Sequence, residues 1–138
     1  MKIHAPDFNL EATLESGQVF GFKKSESGEF QGSFGGVFLG LRQEEGRLHF
    51  KSGEALPPVR IEKHLRRYFN LERDLDPVYS LLDLDPKIPS AWKTIRGLRL
   101  IRQDPWEAMA CFILSSNNNI KRIAQMWRRF DRLSGNPR

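Results

Sequence analysis

The sequence predicts an α+β protein, with a small antiparallel sheet first and helices after it. Three observations carry that expectation. Short apolar–polar alternations separated by turn residues fill the first fifty positions. The pair Pro57-Pro58 then closes that regime. Beyond it, apolar residues recur three and four apart, the period of a helix with one buried face.

Phe8, Leu10, Ala12 and Leu14 alternate with Asn9, Glu11 and Thr13, which predicts a strand, and Phe20 and Phe22 extend the alternation. Ser25-Glu26-Ser27-Gly28 predicts a turn. Strands are expected over residues 30–34 and 37–41 around Gly35-Gly36, and Glu44-Glu45-Gly46 turns the chain into Arg47-Leu48-His49-Phe50. Strands this closely spaced pair antiparallel, and such a sheet needs one face covered.

Ile61, Leu65, Tyr68 and Phe69 mark a first helix, and Leu75, Val78, Tyr79 and Leu82 a second, shorter one. Pro86 and Pro89 punctuate an expected linker. Asp104 is placed to cap a helix, with Pro105 in its first position and Glu107 completing a capping box. The segment from Trp106 to Leu114 is apolar almost all round, as a central core helix is. A last helix carries Ile120, Ile123, Trp127 and Phe130 on one face and Arg122, Gln125 and Arg129 on another.

Composition narrows the function classes. No apolar run approaches the ~18 residues of a membrane span, and Met1 does not open a signal peptide, so no membrane partner is expected. The single cysteine, Cys111, lies in an apolar run and reads as an inert buried thiol in a reducing compartment. His4, His49 and His64 lack ligand spacing, so no metal or other cofactor is expected. The net charge of +5 is uneven: residues 1–120 hold 16 Lys+Arg against 16 Asp+Glu, and residues 121–138 hold six against Asp131 alone. Charge by itself favours neither a polyanion partner nor a solvated helix face.

The run Ser115-Ser116-Asn117-Asn118-Asn119 separates the two last helical patterns. Asparagine competes with a helix for its own hydrogen bonds and prefers caps, so one of the three is explained by capping. Three exceed what a single cap needs. The loop also leads into a helix N-terminus, whose free N–H groups attract anions, and an amide can donate and accept at a base edge. Arg122 adds a planar fork of donors.

Three segments, "SGQVF" (16–20), "GLRLIRQDP" (97–105) and "FILSSNNNIKRI" (112–123), resemble in order and spacing the amino-terminal part of the 8-oxoguanine DNA glycosylases, within the helix-hairpin-helix glycosylase superfamily. The likeness spans nearly all of residues 8–135. It implies a sheet domain similar to the repeated half of the TATA-binding protein over residues 1–85, with the first helices of an all-α glycosylase domain over 86–138. It further implies base-excision repair by base flipping, acting on double-stranded DNA with oxidised guanine opposite cytosine, and an intracellular location with DNA: nucleoid or nucleus. Under the resemblance, Gly17 offers its carbonyl to the lesion and Phe112 lines the base pocket. Asn117 and Arg122 face the orphaned cytosine, with Asn118 and Asn119 in the same DNA-binding loop. Lys121 replaces a residue usually small, which adds a phosphate contact, and Gly21-Phe22 replaces a basic–aromatic pair.

The lysine nucleophile and downstream aspartate of the family, borne on a helix-hairpin-helix, have no counterpart in the 138 residues, so no catalytic residue is assigned. The expectation is a piece of a longer glycosylase/AP lyase, inactive alone and lacking its carboxy-terminal helical partner. The stripe Ile123-Trp127-Phe130, more than two helices bury well, is expected to lie open. The competing readings are a non-catalytic duplex-DNA-binding module or truncated relative, and a protein-interaction module exposing Trp127.

Overall fold

A computed structural model of the chain describes residues 1–34, 37–53, 56–85 and 88–133. Gly35-Gly36 between the two expected strands, the linker residue Pro86 and the terminal Arg138 lie outside these residues. The elements in chain order are β1 (Lys2–His4), α1 (Leu10–Leu14), β2 (Phe22–Lys24), β3 (Phe30–Phe34), β4 (Val37–Glu44), β5 (Arg47–Ser52), α2 (Pro58–Tyr68), α3 (Asp76–Leu82), α4 (Pro89–Thr94), α5 (Pro105–Ser115) and α6 (Ile120–Leu133). The α+β class is as predicted.

The strands form one antiparallel sheet in the order β1-β5-β4-β3-β2. β3, β4 and β5 make the expected meander, with Phe30 opposite Leu41 and Leu41 opposite Phe50. β1 closes the far edge by setting Ile3 opposite Leu48. One face is covered: Phe30, Leu39, Leu41, Leu48 and Phe50 point into a core shared with Leu10 and Leu14 of α1 and Ile61, Leu65 and Tyr68 of α2. The meander was legible because its alternation coincides with the covered face.

The stretch predicted as a strand over residues 8–14 departs from the prediction, with Leu10–Leu14 forming a helix. Asn9 caps it, its side-chain oxygen accepting the Ala12 N–H at 2.9 Å, and Gln43 of β4 accepts the Leu10 N–H at 2.7 Å. Leu10 and Leu14, two alternation steps apart, are also one helical turn apart, so the pattern fitted both periods. The cap and the Gln43 contact decide between them. Pro89 likewise begins the short helix α4 rather than marking a linker. Asp104 caps α5 as expected, its carboxylate accepting the Trp106 N–H at 2.9 Å.

The two last helices reverse their expected burial. On α6, Ile123 and Trp127 are buried, Trp127 being only 8% exposed, and Phe130 packs beside them with Phe20, Ala110 and Cys111. The stripe is covered because α6 lies against the segment around Gly21, where the Trp127 indole nitrogen would stand 3.7 Å from an added Cβ. This removes the basis for an open Trp127 interaction face. On α5, expected to be central, Ala110 and Cys111 are buried while Trp106, Met109, Phe112 and Ile113 are exposed.

Candidate nucleic-acid interface

Two of the three resemblance segments are stitched together by glutamines. The Gln18 amide donates to the Arg99 carbonyl at 3.0 Å and accepts the Ile101 N–H at 2.9 Å, completing a strand-like pair with one side chain. Gln103 returns the bond by donating to the Gln18 carbonyl. Arg99, 5% exposed, is anchored between them: its guanidinium donates to the carbonyls of Asn70, Arg73 and Asp7, and its N–H reaches the Thr13 hydroxyl at 3.1 Å. Gly97 sits at φ +83°, and an added Cβ there would fall 2.8 Å from the Asn9 nitrogen, so this approach to the α1 cap admits no side chain. The roles of Gln18, Arg99 and Gln103 were not read from sequence. The signal was present, as an arginine inside the apolar run Leu98-Arg99-Leu100-Ile101 and a glutamine in each of two segments.

This scaffold holds Gly17 in a fixed position. Its φ of +85° lies in the left-handed region, where a side chain is strained. Around it, an added Cβ would meet, among the described residues, only Ile120 Cδ1, at 3.7 Å, so the backbone stays approachable. Ile120 is the first residue of α6. The structure therefore brings the Gly17 turn against the start of the helix that follows the three asparagines.

The asparagines divide their work. Asn118 donates to the carbonyls of Leu114 and Ser116 at 2.9 and 3.2 Å, closing the end of α5. Asn119 accepts the Arg122 N–H at 3.0 Å and caps α6. Asn117 is exposed with φ +54°, a conformation asparagine tolerates better than most residues, and no hydrogen bond of its side chain occurs among the described residues. Lys121 and Arg122 are exposed, and among the described residues no carboxylate pairs with either. Capping thus accounts for two asparagines, and Asn117 and Arg122 are left facing solvent at one helix N-terminus. Phe112, on α5, is 76% exposed and so is not a core residue.

Burial pushes the Cys111 thiol up to about 11, with Glu107 adding to the rise, so it stays protonated near neutrality. Burial also raises Tyr68, again with Glu107 contributing. Neither is poised as a nucleophile or a base. Among the described residues no group of three histidine, cysteine or carboxylate side chains is placed to hold a metal, and no helix is long and apolar enough to cross a membrane.

A family model described as the 8-oxoguanine DNA glycosylase N-terminal domain matches residues 1–109. The chain is 32% identical over 129 residues to the N-glycosylase/DNA lyase OGG1 of Arabidopsis thaliana, covering 91% of this chain and 35% of that protein. It is 26% identical over 151 residues to a probable N-glycosylase/DNA lyase of Methanothermobacter thermautotrophicus, covering 98% and 47%. Among solved structures, MBOgg1 in complex with a low-affinity DNA ligand superposes with a TM-score of 0.80 at 31% identity, over 89% of this chain and 42% of that one. The Clostridium acetobutylicum 8-oxoguanine glycosylase/lyase, bound to double-stranded DNA with cytosine opposite 8-oxoG, shares the fold with a TM-score of 0.77 at 24% identity, over 90% and 45%. The chain spans less than half the length of these relatives.

Proposed function

The chain belongs to the 8-oxoguanine DNA glycosylase family, and from that premise we propose that it is the lesion- and cytosine-sensing part of a base-excision repair glycosylase with AP lyase activity. The observation that carries the reading is the meeting of the Gly17 turn with the first residue of α6, next to the exposed Asn117 and Arg122. One surface then holds a backbone acceptor and two free polar side chains.

Each part has a chemical use. Oxidation at C8 converts guanine N7 from an acceptor to an N–H donor, so a carbonyl at Gly17 separates damaged from normal guanine. A cytosine left unpaired by base flipping shows one donor and two acceptors, which the Asn117 amide and the Arg122 fork satisfy together. Thymine or adenine would leave a polar group unpaired. Lys121 supplies a phosphate contact, the Asn118 and Asn119 caps hold the loop that presents Asn117, and Phe112 offers an aromatic face to the flipped base. The division into residues 1–85 and 86–138 is part of this proposal, supported by two separate apolar clusters, although Arg99 ties residues 97–103 to the first unit. The lysine that attacks the sugar belongs, in this reading, to the carboxy-terminal helical domain of the longer protein, and residues 1–138 alone do no chemistry.

Binding to duplexes with oxidised guanine opposite each of the four bases tests the sensing role. Wild type should favour cytosine, and Asn117→Gly with Arg122→Gln should lose that preference. Asn117→Gly keeps the left-handed backbone, so its stability should stay within ~0.5 kcal/mol of wild type. Equal affinity of wild type for all four pairings would reject the reading. Borohydride trapping checks the lyase claim, with a cross-link expected from the longer protein and none from residues 1–138. The second reading, a non-catalytic duplex binder, rests on the exposed Lys121 and Arg122. Five phosphate contacts from the terminal basic residues give a log–log salt slope of about −4.5 without any base preference.

A further inference from the structure

We propose that α2 carries a second DNA-backbone contact, a phosphate-binding stripe on the sheet unit, separate from the loop that senses the lesion. The proposal rests on the DNA-repair reading above and adds to it a surface that the overall charge count conceals. Residues 58–68 contain Arg60, Lys63, Arg66 and Arg67 against Glu62 alone, a local excess of three positive charges within residues 1–120, which balance to zero.

Helical geometry sorts these charges onto one side. Ile61, Leu65 and Tyr68 turn into the core, and Arg60, Lys63 and Arg67, spaced three and then four apart, are exposed on another face. Beside them runs an open groove of about 510 Å³ lined by Glu62, Lys63, Arg66, Arg67, Glu72 and Arg102, among others. Both carboxylates in that groove are already engaged. Arg66 holds Glu62 and Glu72 at 2.9 Å each, as one cation between two anions. Arg60, Lys63, Arg67 and Arg102 have no ion-pair partner among the described residues. Arg102 is brought to the stripe by its own N–H, which donates to the Tyr68 carbonyl at 2.8 Å at the end of α2.

The chemistry of the face selects the partner. Four unpaired cations on one rigid helix and the segment bound to its end repel each other, and a polyanion relieves that repulsion. Residues 60 to 67 span about 10.5 Å along the helix, roughly three nucleotide steps of one strand at about 3.4 Å each. Among the described residues no aromatic side chain lines the groove to stack a base, which disfavours single strands. The same lack of an aromatic anchor disfavours a protein partner. Duplex phosphate is the ligand that fits.

Fluorescence titrations of the whole chain against undamaged duplex, and against duplex with oxidised guanine opposite cytosine, test this between about 50 and 200 mM salt. The triple change Arg60→Gln, Lys63→Gln and Arg67→Gln should make the log–log salt slope shallower by about 2.7 on both duplexes, leaving their affinity ratio unchanged. The charge-keeping set Arg60→Lys, Lys63→Arg and Arg67→Lys should restore the wild-type slope, separating charge from folding. An unchanged slope in the triple variant, with Asn117→Gly still altering base preference, overturns the stripe and leaves the sensing role standing. No duplex binding by wild type overturns both. Equal binding of the stripe to poly-glutamate at matched salt overturns duplex DNA as its ligand.

Discussion

In the sheet unit, Leu41, Leu48, Leu65 and Phe69 retain no exposed surface, whereas on α5 Trp106, Met109, Phe112 and Ile113 all lie open. α5 is the richer of the two in apolar residues, which make up eight of its eleven, so the difference lies in what meets each region. The sheet receives two helices across one face, and its core includes residues from β1, α1, β3, β4, β5 and α2. α5 is met chiefly by α6 and Phe20, which together cover Ala110 and Cys111 but not the rest of its surface. An apolar helix is therefore no guarantee of a buried one; burial follows from the number of elements around it.

Truncations in the two regions should expose the contrast most strongly. Leu65→Ala should cost about 3 kcal/mol in urea unfolding, for lost burial plus a cavity, and Phe112→Ala should stay within ~0.5 kcal/mol. Comparable costs at the two positions would break the distinction. A smaller effect is expected at the junction of the regions. Arg99→Met should cost about 2 kcal/mol by leaving the carbonyls of Asp7, Asn70 and Arg73 short of a donor. Hydrogen exchange should quicken at Asn9, whose N–H donates to the Gly97 carbonyl at 2.8 Å, before it quickens in β4. Simultaneous loss of protection would mean that Arg99 supports the whole core and not the junction.

The smallest effect is one of pH. The Cys111 thiol is held up to about 11 in the folded chain against about 9 when exposed, so the unfolded chain releases this proton first. Stability should accordingly fall as pH rises from about 9 towards about 11. Tyr68, also raised by burial, pushes the same way from about pH 10 upward. Cys111→Ala should remove the earlier part of the decline. An identical pH profile in that variant would show that the thiol is not protected, and that the small α5–α6 core is looser than its packing implies.

Much of the asparagine loop was legible before the fold was. The cap at Asp104, the break at residues 115–119 and the resumption at Ile120 follow from local chemistry, because capping and helix period act over a few residues. The assignment of individual asparagines was not legible. Which of them caps depends on where α5 ends and α6 begins, and that placement leaves Asn117 rather than Asn118 or Asn119 exposed without a bond. The α2 stripe was hidden for a different reason: a charge count over residues 1–120 cancels it against acidic residues elsewhere in the chain.

From sequence alone came the α+β class, the β3-β4-β5 meander, the helical regime after Pro57 and the loop that unites Asn117 with Arg122. These depend on periods of two and of three to four, on turn residues and on motif order, all of them short-range properties. Tertiary structure decided the rest. It made Leu10–Leu14 a helix where the Gln43 side chain takes the Leu10 N–H, covered Trp127 while leaving α5 open, and set Gly17 beside Ile120. Each of these outcomes turns on a contact between residues distant in the chain, and no local pattern carries that information.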